Sequence, residues 1–258
     1  MLGRHWRVVA GWALFNLIGM VAVVIVAAML VFALVASGAV SDDALGGVGS
    51  FVAVAGDVVL QTIIGVGLYR LVFRPEEPSF LHLRLGRDEM RILGVAAVLL
   101  SGAGAIGFLA YALGQALARF GAVGPFLVGL AAAGVVIWLG LRLSLTAPMS
   151  FVEGRIDFAR SWRLTRGRGW PLFGMWLLNM VVVIMVWVAW WVAAFVVVGV
   201  LTGFGGRGEG ADAFVAHPVR YLLEGASPLL FGPVILVLQQ TPYIEAYRAF
   251  AQPPPEAA

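Results

Sequence analysis

The chain has 258 residues, 61% hydrophobic and 12% charged, with a mean hydropathy of +0.96. Soluble domains carry about 25% charged residues, so a fold with a water-facing surface of this size is excluded. The net charge of +3 rests on 17 basic residues, all Arg, scattered over loops and not forming the basic face that nucleic acid requires. No cysteine means no disulfide, thiol nucleophile or thiolate metal site, and His5, His82 and His217 lie on separate loops. These limits leave one membrane domain over residues 1–258, without length for a separate catalytic domain.

About 20 apolar residues cross the hydrocarbon layer as a helix, and six runs meet that length. The first, 8–36, follows Arg4 and Arg7 and carries Asn16. With Ala-Ser-Gly-Ala at 36–39 it has signal-peptide features, but it is about twice the usual signal length, so it reads as a span. The second, 48–73, holds Asp57, the one acid well inside a run, with Gln61 and Gly65 at helical spacing on the same face. A charge at mid-bilayer costs about 2.5–3.5 kcal/mol, and such residues often mark ion or proton paths. Structural hydrogen bonding is the competing reading.

Runs three (92–117) and four (121–147) repeat small residues: Ala103, Gly107, Ala110 and Gly114, then Gly129, Ala133 and Gly140. Such stripes let two helices approach closely. After them comes the most distinctive stretch, with Arg142, Pro148, Glu153, then Ser161, Trp162, Arg163, Thr165, Arg166 and Gly167, then Trp170. Phe151, Phe158 and Trp162 share a helical face with Arg155, which predicts a basic helix lying at the headgroup level and ended by Gly167. It reads as a topology anchor or as a site for headgroups or a partner.

The fifth run, 171–201, carries Asn179 and is longer than a membrane needs, so it must tilt, bend or project. The loop 203–225 begins Gly-rich, then places Phe214, Val215, Val219, Leu222 and Leu223 in a stripe. That stripe fits a surface-lying helix or an ordinary connection. The sixth run, 226–250, is interrupted by Pro228, Pro233 and Pro242 and holds Gln239 and Gln240. Asn16, Asn179, Gln239 and Gln240 come at similar depths, as helix-to-helix glue or as the lining of a cavity beside a broken helix. Glu245 and Arg248 close the run and are placed to pair with Arg142 or Glu153.

Fourteen arginines fall on the termini and the two loops after runs two and four. Only Arg119, Arg207 and Arg220 fall on the opposite set. The positive-inside rule puts the first set, and both termini, in the cytoplasm. The expected fold is all-α, a polytopic bundle of six transmembrane helices with an interfacial cytoplasmic helix.

The stretch 142–174 resembles a bacterial membrane-protein superfamily that includes the membrane domain of glycerophosphodiester phosphodiesterases. The shared pattern is a span ending in Arg, then Pro, Glu, Ser-Trp-x-Leu-Thr-x-Gly and an aromatic start to the next span. A looser likeness covers Tyr69-Arg70, Pro75-Glu76 and 83–89. The resemblance implies a six-helix inner-membrane bundle. It does not imply phosphodiester hydrolysis, which belongs to a soluble domain absent here. A weak internal echo links Leu83-Arg-Leu-Gly-Arg with Trp162-Arg-Leu-Thr-Arg, and runs two and six both end in Tyr-Arg followed closely by Phe. It fits either paired hairpins or a shared interfacial preference.

No catalytic, metal or nucleotide motif is present, and no cofactor is implied. The expected role is a non-enzymatic integral inner-membrane protein, a scaffold or envelope-homeostasis component. The alternative is a small-solute or lipid transporter that uses Asp57 and the proline-broken last helix. The expected partners are membrane lipids, with anionic headgroups at the Arg-rich loops.

Overall fold

A computed structural model describes residues 6–38, 42–76, 80–202 and 218–251. The helices are α1 (Trp6–Ser37), α2 (Asp42–Phe73), α3 (Arg87–Leu117), α4 (Val123–Leu143), α5 (Thr146–Glu153), α6 (Phe158–Thr165), α7 (Gly169–Thr202) and α8 (Pro218–Ala251). Short 3-10 turns occupy Phe80–His82 and Ala118–Phe120. Six of the helices are long and apolar enough to cross a membrane, so the fold is an all-α membrane bundle, as expected. Helix is the solution the medium imposes, because lipid offers no partner to an unpaired backbone amide. Large apolar side chains such as Phe32, Phe51 and Phe108 remain exposed, as a surface facing lipid requires.

Three expectations change. The single interfacial helix is two helices, because Gly154 adopts a left-handed conformation (φ 73°) and ends α5 with its N–H on the Ser150 carbonyl. Phe151 is then fully buried on α5 while Trp162 sits half-exposed on α6, so the aromatic residues do not form one face. The prolines do not break the last run, since α8 is continuous through Pro228, Pro233 and Pro242. Finally, Val219, Leu222 and Leu223 belong to the first turns of α8, not to a separate surface helix. Phe214 and Val215 lie outside the described residues.

By internal contacts the chain divides into two compact units. The first comprises Met1–Leu68, Pro78–Leu83 and Asn179–Gln240. Here α1 and α2 approach through glycines: a methyl group on Gly19 would meet Leu60, and one on Gly56 would meet Val23, both at 2.5 Å. The Phe80–His82 turn packs against the same pair, with Leu81 over Gly11 and Leu83 over Gly67. Leu81 and His82 both have positive φ, 54° and 57°, a costly conformation for non-glycine residues. The fully buried Trp12 holds the turn by donating Nε1–H to the Leu81 carbonyl at 2.8 Å. Trp190 of α7 stacks on Phe231 of α8 with ring centroids 4.3 Å apart.

The second unit comprises Tyr69–Glu77, Arg84–Leu178 and Thr241–Ala258. Its α3–α4 hairpin turns at Gly121, whose φ of 101° suits only glycine comfortably. The close approach that the stripes suggested is met only beside the turn, where Gly114 meets Pro125. Away from the turn the glycines do not close the gap. A furrow of about 530 Å³ remains, lined by Gly107, Ala110, Gly129 and Ala133. The unit's buried core gathers Leu145, Met149, Leu172, Ala246 and Tyr247, with Phe73, Leu164 and Phe250 packed on it.

Candidate functional site

The densest polar arrangement lies in the second unit, where helix ends meet. The last four carbonyls of any helix have no intrahelical donor, and here neighbouring arginines and hydroxyls supply one. Arg74 and Arg91 donate to the carbonyls of Phe151 (3.4 Å) and Ser150 (3.3 Å) in the last turn of α5. Arg142 donates to the Thr165 carbonyl that ends α6 at 2.8 Å. Arg248 donates to Val72 near the end of α2 at 3.1 Å. Ser161 and Thr165 in turn place their hydroxyls on the Arg142 carbonyl near the end of α4, at 3.1 and 3.2 Å. A cation at a helix C-terminus also opposes the negative end of the macrodipole, so each arginine contact is favoured twice.

Carboxylates complete the network. Arg70 and Glu89 form an ion pair with side chains 2% and 4% exposed. Among the described residues the Arg70 guanidinium is the group that offsets the burial of the Glu89 carboxylate. Asp88 bridges Arg91 at 2.9 Å and Arg74 at 3.5 Å. Glu153 takes Arg160 at 2.6 Å and Arg155 at 3.5 Å. Asp157 caps α6 by accepting the Arg160 backbone N–H. Arginine planes also lie on rings: Arg74 over Phe151, Arg248 over Phe73 and Arg168 over Phe250, at 4.7, 5.2 and 4.3 Å to Arg Cζ.

Of the residues singled out from sequence, Arg142, Ser161, Trp162 and Thr165 come together around the α4–α6 junction. Trp162 meets Trp138 edge to face at 5.1 Å. Arg163 and Arg166 are exposed. Glu245 and Arg248 pair with each other at 3.3 Å, not with Arg142 or Glu153. Those two are already engaged, and i, i+3 neighbours on one helix face meet without folding. The pairings of Arg70 with Glu89 and of Arg74 and Arg91 with Asp88 were not anticipated. The available signal was an arginine at the end of an apolar run and two acids opening the next.

The first unit holds a second, smaller cluster. Pro233 has no N–H, which leaves the Leu229 carbonyl four residues earlier without its helical donor. Asn16 of α1, 1% exposed, donates Nδ2–H to that carbonyl at 2.7 Å. Pro228 frees the Glu224 carbonyl in the same way, and the Ser227 hydroxyl bonds it at 3.4 Å. At Pro228 and Pro233, side chains thus repair the helical ladder where the ring cuts it. Gln61 donates to Asp57 Oδ1 at 3.2 Å. Gly232 lies against both amides, since a methyl there would sit 3.3 Å from Asn16 Nδ2 and 3.5 Å from Gln61 Nε2. Asn16 thus joins Asp57 and Gln61, not Asn179, Gln239 and Gln240. Asn179 is half-buried, Gln239 is exposed, and neither hydrogen-bonds among the described residues.

No protein-family model, curated protein or solved structure matches this chain. The superfamily likeness of residues 142–174 therefore rests on the sequence motif alone.

Proposed function

We propose that the protein is a bacterial inner-membrane scaffold or envelope-homeostasis component without enzymatic activity, with both termini and the arginine-rich helix ends in the cytoplasm. The observation that carries this reading is the use of the polar groups. In the second unit they lock helix ends to one another and leave Arg155, Arg163, Arg166 and Arg168 exposed on a braced surface. That is how a fixed docking face is built, and the arginine asymmetry of the loops gives it its side.

The native chain lacks cysteine, so single-Cys variants report topology directly. An impermeant thiol reagent added outside should label Cys at Asp43 and Gly208 but not at Arg87 or Arg166. The reverse pattern overturns the orientation. For the role, a deletion strain under envelope stress is complemented with variants. Arg163→Glu with Arg166→Glu should fail, and Asp57→Asn should succeed.

One observation favours a transporter as the second reading. The amides of Asn16 and Gln61 are oriented by their donor bonds, which leaves Asn16 Oδ1 and Gln61 Oε1 buried and without a partner among the described residues. With the Asp57 carboxylate these are oxygen acceptors on neighbouring residues inside the span, the chemistry that a proton or small cation would need. Under this reading Asp57→Asn loses complementation while the arginine reversal keeps it.

A further inference from the structure

Between α4 and the start of α7, a groove of about 560 Å³ opens in the second unit. Gly134, Ile137, Trp138, Leu141 and Arg142 form its α4 wall at spacings of three and four, one continuous helix face. Thr165, Gly167, Trp170 and Phe173 form the other side. From Gly134 to Arg142 the wall runs about 12 Å, most of the roughly 15 Å depth of one hydrocarbon leaflet. The groove is therefore graded. Its deep part is apolar, tryptophans flank its upper part, and an arginine stands at one end.

Arg142 is unlike the other arginines. Arg70, Arg74, Arg91, Arg155, Arg160, Arg220 and Arg248 each have a carboxylate within ion-pairing distance. Arg7, Arg84, Arg87, Arg119, Arg163, Arg166 and Arg168 are exposed to solvent or headgroups. Among the described residues, Arg142 alone is half-buried with no acidic partner. Its Nη1 reaches the Thr165 carbonyl, and its Cζ lies 5.9 and 5.6 Å from the Trp138 and Trp162 ring centres. These dipoles and ring faces orient the cation without neutralising it. A guanidinium held this way presents its remaining donors to a phosphate.

We propose that this groove binds an anionic phospholipid, with the phosphate on Arg142 and one acyl chain along Gly134, Ile137 and Phe173. The phosphate supplies the charge that the protein omits at this one arginine, and the chain fills the apolar wall below it. The proposal rests on the reading above only for which leaflet supplies the lipid. Binding is measured in detergent, where orientation plays no part, so either can fail alone.

The test uses the full chain purified in detergent, with native mass spectrometry in phosphatidylglycerol and, separately, phosphatidylcholine. The wild type should retain phosphatidylglycerol over phosphatidylcholine. Arg142→Gln keeps a donor for Thr165 but removes the charge, and bound phosphatidylglycerol should fall about tenfold or more. A Cβ at Gly134 meets no atom within 4 Å, so Gly134→Phe fits the fold while filling the chain slot, with the same expected loss. Arg87→Gln, an exposed arginine outside the groove lining, should bind as wild type. A melting curve checks each variant, and if Arg142→Gln does not fold, Gly134→Phe carries the test. Equal retention of both lipids, undiminished retention by Gly134→Phe, or full displacement by water-soluble glycerol phosphate overturns the proposal.

Discussion

The arginine network of the second unit and the Asn16–Asp57–Gln61 cluster of the first handle buried polarity in opposite ways. In the second unit, arginines reach from one helix to the end of another, and charge, carboxylate and carbonyl satisfy one another in a network. In the first, the polar groups of the α1–α2–α8 cluster are amides and one acid, and each contact serves a single purpose. Asn16 mends the backbone at Pro233, and Gln61 holds Asp57. The difference follows from what each place offers. Helix ends expose several carbonyls to be shared, and a long side chain near the headgroups can bring its charge to them. Mid-helix, only a proline frees a carbonyl, and a neutral amide fills that need without the cost of a buried charge.

The largest effect should come from halving the buried ion pair. Glu89→Ala removes the carboxylate facing Arg70 in a site 2% exposed, and unfolding in mixed micelles should show a loss of about 3–5 kcal/mol. Replacing both partners, Arg70→Met with Glu89→Leu, should recover most of that loss. If the double variant is as unstable as the single, the network needs the charge itself and not only its neutralisation.

The repair of α8 gives a sharper test of the other region. Asn16→Leu should cost about 1–2 kcal/mol by orphaning the Leu229 carbonyl. Pro233→Ala restores the backbone donor, so it should be worth more in the Asn16→Leu background than in the wild type. Strict additivity in that double-mutant cycle would remove the proposed coupling.

Asp57→Leu should cost about 1 kcal/mol through loss of the Gln61 contact, while Asp57→Asn should leave the melting temperature near wild type because it keeps an acceptor for Gln61. Equal destabilisation by both changes would mean that the carboxylate carries structure through its charge. At the small end, Arg163→Gln should not measurably change stability, since the side chain is exposed and makes no ion pair among the described residues. A clear loss would show that the network extends onto the exposed face of α6.

Hydrophobic length and the medium made the spans legible without coordinates. A bilayer requires about 20 apolar residues and lets nearly every such run become a helix, so the six helices fall where the runs lie. That α3 and α4 are neighbours was also readable, because a short turn joins the two runs, although the small-residue stripes overstated how closely they approach. The tight α1–α2 contact at Gly19 and Gly56 was not, since single glycines on two helices acquire meaning only once the helices are opposed. Nor could the sequence assign partners to its arginines. Seventeen identical cations and 14 acids allow many pairings of similar energy, and only the tertiary structure brings Arg70 of α2 to Glu89 of α3. The prolines of α8 follow the same logic. A sequence shows the missing N–H, but the donor that replaces it at Leu229 sits 213 residues away on α1, and only tertiary structure brings it there.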